Sequence, residues 1–99
     1  MKVFNKEEKD QLSGFSLIRF HAEWCAPCKV AGPIFAEIES DYPEVDFFEC
    51  DIDQESSIAA EYRLRTIPTV VLVKEGQEVG RVYDGVTKAR LEELLELTI

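Results

Sequence analysis

From Phe15 to Ala22 the chain reads FSLIRFHA, and from Val45 to Ile52 it reads VDFFECDI. Both runs have the length and the β-branched and aromatic content of strands. Between them Val30, Ala31, Ile34, Phe35 and Ile38 recur at the spacing of one helix face, which predicts a helix from Cys25 to about Ser40. Pro33 falls inside that pattern and predicts a kink. The three segments make a strand–helix–strand unit.

The remaining pattern extends this unit on both sides. KVF (Lys2–Phe4) is long enough only for an edge strand, and Asn5 with Glu8 has capping-box spacing for a short helix to about Leu12. SSIAAEYRL (Ser56–Leu64) reads as a short helix. TIPTVVLVKEGQEVGRVYDG reads as a hairpin turning near Glu75-Gly76. Thr87 can cap a last helix whose Leu91, Leu94 and Leu95 form one apolar stripe. The order is βαβαβαββα, an α/β fold with a central mixed sheet and helices on both faces.

A chain of 99 residues is the length of a single domain, here 1–99. Such a domain buries roughly 60–65% of the surface of its unfolded chain, enough for a core without a staple. Twenty acids against 11 bases give a net charge of −9, and no run of Lys and Arg offers a phosphate-binding patch, so nucleic acid is not an expected partner. The longest aliphatic run, Val70–Val73, is far too short to span a membrane, and MKVFNKEEKD has no apolar signal region. The simplest reading is a cytoplasmic protein, in a compartment that keeps thiols reduced. There a close cysteine pair points to catalysis or metal binding before structure.

That pair lies in FHAEWCAPCK, at the strand-to-helix turn of the first crossover. As a staple, a loop so short removes only about 2 kcal/mol of unfolded-chain entropy. As a metal site, His21, Cys25, Cys28 and Cys50 form a formal Cys₃His set. Structural zinc sites, however, bring their ligands as two short-spaced pairs, whereas Cys50 stands alone on a strand. As a redox couple, Cys25 at the start of a helix meets unpaired N–H groups and the positive dipole end, which favour thiolate, with Cys28 one turn deeper. Lowering a thiol pKa from ~8.5 to ~7 multiplies thiolate at pH 7 about fifteen-fold, while nucleophilicity drops about five-fold. An intramolecular resolving thiol contributes far more than that net gain. Cys50, between Phe48 and Ile52, reads as buried and inert.

AEWCAPCK (Ala22–Lys29), Pro33, IDQE after the second internal strand, TIPT (Thr66–Thr69), the EGQEV hairpin and Gly85 together resemble the thioredoxin family, in order and over nearly the whole chain. Ala26 stands where the family's WCGPC motif has glycine. The resemblance implies the thioredoxin fold and protein-disulfide reductase activity. In that reading Cys25 is the exposed nucleophile and Cys28 the resolving thiol, with Pro27 between them tuning the potential. It further implies a cis peptide at Ile67–Pro68, and a shallow apolar surface of Trp24, Ala26, Ile67, Pro68 and Gly85 that docks disulfide-bearing proteins. No cofactor would be bound. Electrons would come from an external NADPH-dependent flavoprotein reductase, and the protein would act as a monomer in electron transport and cell redox homeostasis. A disulfide oxidase or isomerase, or a non-catalytic binding subunit, is the alternative on the same fold.

Three further positions depart from the family pattern. Arg19 replaces a buried aspartate beneath the cysteines, and Glu49 replaces a lysine, as if the charges had been exchanged. A buried lone arginine is costly, so the two are expected to pair across adjacent strands, with Arg19 favouring thiolate; the alternative is an arginine that snorkels to solvent. His21 replaces an aromatic ring and reads as a hydrogen-bonded packing residue or a proton relay to Cys28. Lys29 reads as a solvated helix residue.

Overall fold

The computed structural model describes every residue from Met1 to Ile99. Five strands form one sheet: β1 (Lys2–Val3), β2 (Phe15–His21), β3 (Val45–Asp51), β4 (Thr69–Lys74) and β5 (Gln77–Val82). Their spatial order is β1-β3-β2-β4-β5. β3 runs parallel to β1 and β2, whereas β4 is antiparallel to β2 and β5. The helices are α1 (Lys6–Lys9), α2 (Ala26–Glu39), α3 (Ser56–Glu61) and α4 (Lys88–Thr98).

β2 is central in the sheet, with both edges paired to β3 and β4 and both faces packed against other elements, which explains its near-continuous apolar run. Leu17, Phe47, Val70 and Leu72 meet Phe35 and Ile38 of α2 and Leu91 and Leu95 of α4 on one face. Ile18, Phe20, Phe48, Cys50, Val71 and Val73 meet Phe4 and Ile58 of α3 on the other. Each large side chain so buried contributes about 1.5–3 kcal/mol.

The edges of several elements differ from the sequence expectation. α1 closes at Lys9, with Asp10 as its cap, rather than near Leu12. α3 ends at Glu61 instead of Leu64, because Arg63 adopts a left-handed φ of 52° that ends the helical path. α2 runs unbroken from Ala26 to Glu39 through Pro33, and its face is narrower than the apolar pattern suggests. Ala31, Phe35 and Ile38 are buried, while Val30 is 69% exposed. The hairpin turns at Glu75 (φ 49°) and Gly76 (φ 80°), both left-handed as a two-residue hairpin requires. Glu75 is held there by its backbone and carboxylate: its N–H donates to the Gly14 carbonyl and its Oε1 accepts from Gly14 N, each at 2.9 Å.

Candidate active site

β2 ends at His21, and the chain turns through Ala22–Trp24 into α2. Cys25 is the N-cap of that helix rather than its first turn: its backbone is extended (φ −92°, ψ 104°) and its Sγ accepts from Cys28 N at 3.2 Å. The cap role usually falls to Ser, Thr, Asp or Asn, whose oxygen satisfies an N–H left over at the helix start. Here a sulfur does so. Cys25 and Cys28 are joined by a disulfide across a Cα–Cα distance of 5.3 Å. In this state Cys25 is 4% exposed and Cys28 2%. The expectation of an exposed Cys25 is therefore corrected: the bridged sulfurs lie at the floor of the surface, not on it.

That floor is walled by the loop before β4. The Ile67–Pro68 peptide is cis, and the Ile67 carbonyl oxygen stands 3.8 Å from Cys25 Sγ, where it can accept from the thiol once the bridge opens. Two shallow depressions flank the couple. One, of about 350 Å³, has Trp24, Ile52, Leu64 and Ile67 in its lining. The other, of about 480 Å³, is lined by Ala26, Pro27, Val30, Pro68, Gly85 and Val86 among others. Trp24 is 67% exposed and stands on the surface rather than in the core. The indole is not loose, because its Nε1 donates to Asp53 Oδ2 at 2.8 Å, and Asp53 N in turn donates to Asp51 Oδ1 at 2.8 Å.

Gly85 has a φ of 111°, a conformation that a side chain would strain. Its loop is gripped from α4: Arg90 Nη1 donates to the carbonyls of Tyr83 (2.7 Å), Asp84 (3.3 Å) and Gly85. Asp53, Val30, Val86 and Arg90 are members of the site that sequence reading missed. The IDQE stretch was a usable signal for Asp53; nothing local pointed to Arg90.

Beneath the couple, Arg19 sits opposite Glu49 in the parallel β2–β3 register and is 8% exposed. Its Nη2 donates to Glu49 Oε2 at 2.9 Å and its Nη1 to the Cys28 carbonyl at 3.3 Å. The guanidinium is thus paired and does not snorkel outward. Its Nε is buried without a partner. Gly32 of α2 lies over the guanidinium, where a Cβ would sit in ordinary contact at 3.7 Å from the guanidinium carbon.

His21 lines a cleft of about 330 Å³ with Arg19, Cys28 and exposed Lys29. Its ring makes no hydrogen bond to a protein group, which corrects the expectation of a hydrogen-bonded packing histidine. The four candidate zinc ligands do not converge. No group of three or more His, Cys, Asp or Glu side chains could hold a metal. Cys50 lies 0% exposed on the α3 side of the sheet, where burial above all, then Glu55 and Asp51, pushes its thiol up to about 12.

A family model described as Thioredoxin matches residues 2–97. The chain belongs to the thioredoxin family. It is 38% identical over 97 residues to the thioredoxin of Mycoplasmoides gallisepticum, covering 95% of this chain and 97% of that one. To a Staphylococcus aureus thioredoxin it is 39% identical over 85 residues, covering 85% and 82%. Among solved structures, oxidised mitochondrial thioredoxin 3 from Saccharomyces cerevisiae superposes with a TM-score of 0.88 at 31% identity, covering 97% of this chain and 93% of that one. Plasmodium falciparum thioredoxin gives 0.91 at 26% identity, with all of both chains covered. The thioredoxin fold expected from the sequence is the fold observed. As a thioredoxin-family member the chain is a thiol–disulfide oxidoreductase, and its chemistry is dithiol–disulfide exchange. No helix is long and apolar enough to cross a membrane.

Proposed function

We propose that residues 1–99 act as one monomeric, cytoplasmic domain that reduces disulfides in other proteins. The observation that carries this reading is the placement of Cys25 Sγ between the Cys28 N–H and the Ile67 carbonyl, at a helix start that favours thiolate. Cys25 thiolate attacks one sulfur of the substrate disulfide; an S–S bond forms, the substrate bond breaks, and its second sulfur leaves as thiolate. Cys28 thiolate then attacks Cys25 Sγ and expels the first substrate sulfur. Two electrons have moved to the substrate, and Cys25–Cys28 is oxidised. Regeneration takes two electrons from an external donor, by family resemblance an NADPH-dependent flavoprotein reductase. Trp24, Ala26, Ile67, Pro68 and Gly85 seat the substrate. Pro27, Arg19 and Glu49 tune the couple.

One observation favours a second reading, that of a disulfide isomerase or oxidase. A buried guanidinium bound to the Cys28 carbonyl stabilises a thiolate form, and whatever stabilises the reduced form makes the couple more oxidising. Equilibration in dithiothreitol or glutathione buffers decides between them. Half-oxidation near about −270 mV, a potential characteristic of thioredoxins, supports the reductase. A value between about −180 and −120 mV moves the protein to the isomerases and oxidases.

A further inference from the structure

Five arginines are present, and three of them are committed within the fold. Arg19 holds Glu49 and the Cys28 carbonyl, Arg90 grips the Gly85 loop, and Arg81 is fixed by both carboxylate oxygens of Glu78 and by the Tyr62 carbonyl. The guanidinium groups of Arg63 and Arg65 make no hydrogen bond and no ion pair within the chain, although the chain carries 20 acids against 11 bases. Both line one cleft of about 310 Å³, together with Arg81, Thr66, Thr69 and Asp84. The sequence has no run of basic residues, but folding brings these three arginines together from the exit of α3 and from β5.

Two further features separate this cleft from a chance surface cluster. Arg63 occupies the left-handed position just past a helix end, where glycine is ordinarily preferred and a side chain costs about 1 kcal/mol. A favourable dipole at the end of a six-residue helix is a small return for that strain. The cleft is also continuous with the substrate surface, because Arg65 and Thr66 line both it and the depression beneath Trp24 and Ile67. Arg65 and Arg63 precede Ile67 by two and four residues, at most roughly 7 and 14 Å along extended chain. An extended substrate segment covers the same span in two to four residues.

We propose that the Arg63–Arg65 cleft binds acidic side chains that lie two to four residues from the attacked cysteine of a protein substrate. The proposal rests on the disulfide-exchange reading of the neighbouring surface and adds its charge preference. Guanidinium forks suit carboxylates, and at physiological salt the Debye length of about 8 Å screens the net negative charge of the rest of the chain.

The test uses three matched peptides with glutamate, glutamine or lysine at positions two to four from a cysteine, on either side. Binding is read on the disulfide form with serine in place of the cysteine, so the outcome does not depend on turnover. The glutamate peptide is expected to bind about tenfold more tightly than the glutamine peptide, as two partly exposed ion pairs allow. The R63Q/R65Q double variant should bring that ratio close to one, and R63K/R65K should restore part of it. Equal binding of the glutamate and glutamine peptides to the unmodified protein overturns the proposal. So does a glutamate preference that survives in R63Q/R65Q. Reduction of the glutamine peptide with its cysteine in a mixed disulfide reports separately on the exchange reading.

Discussion

Cys25 and Cys50 carry the same side chain and are both almost fully covered, yet their surroundings have opposite chemistry. Cys25 caps a helix, accepts a backbone N–H and faces a carbonyl, with a guanidinium one layer below. Cys50 lies among Phe4, Phe20, Phe48 and Ile58, and the carboxylates that influence it, Glu55 and Asp51, disfavour the thiolate. Burial alone therefore does not determine whether a thiol reacts. What matters is whether the groups that replace water stabilise the anion, and the start of α2 with the Arg19 guanidinium of β2 beneath it does so at Cys25 but not at Cys50.

Removing the sulfurs one at a time breaks this contrast most directly. Cys25→Ser should lower disulfide reduction by roughly 10³-fold or more, and Cys28→Ser should accumulate a mixed disulfide, because the intramolecular step is lost. Cys50→Val should leave the rate within about twofold. Turnover assays and mass spectrometry of trapped adducts read all three.

The layer beneath the couple comes next. Glu49→Ala strands a buried cation and should cost about 3 kcal/mol in urea unfolding. Arg19→Met leaves a carboxylate whose side chain is 36% exposed and can still meet water, so about 1 kcal/mol is expected. Arg19→Met should also raise the midpoint of the alkylation-rate profile of Cys25 by about one pH unit, tenfold in thiolate at a fixed pH below the midpoint. An unmoved profile would remove Arg19 from the set of tuning residues.

Alkaline pH sharpens the contrast at Cys50. Its folded pKa lies above the ordinary 9.0, so an unfolded chain ionises first and holds fewer protons. Stability contributed by the protonated thiol is full below pH 9 and declines as pH rises toward about 12, at up to about 1.4 kcal/mol per pH unit. Cys50→Val should flatten the corresponding part of the melting profile between pH 9 and 11. The smallest effect is expected at Ser16, which alternation along β2 places on the same side of the sheet as Ile18. Its buried Oγ has no partner, so Ser16→Ala should be neutral or stabilising by up to about 1 kcal/mol.

Sequence pattern located what is local. Period two and period 3.6 mark β2, β3 and α4, and the cysteine spacing marks the redox turn, because each is written within a few consecutive residues. The pairing of Arg19 with Glu49 could be anticipated because a parallel crossover places two strands side by side and a buried charge needs a partner. Other features were hidden for physical reasons. Val30 has the right spacing for the core, but nothing covers that edge of α2. Arg63 ends α3 through its own backbone angle, which neither propensity nor hydropathy encodes. The Trp24–Asp53 bond spans 29 residues and the arginine cleft joins residues 63–69 to 81–84, so no short window contains either contact. Arg90, by contrast, lies five to seven residues from the carbonyls it grips, at a spacing that spells no motif.

Arg90's grip on the Gly85 loop ties the last helix to one wall of the depression beside the redox couple. A chain made from its N-terminus releases the two cysteines long before Arg90 emerges. In that interval the nascent chain has both sulfurs but lacks Arg90 and the buried Leu91 and Leu95, so neither the Gly85 loop nor the core face against α4 is complete. The surroundings of the couple are therefore finished only when the final eleven-residue helix docks.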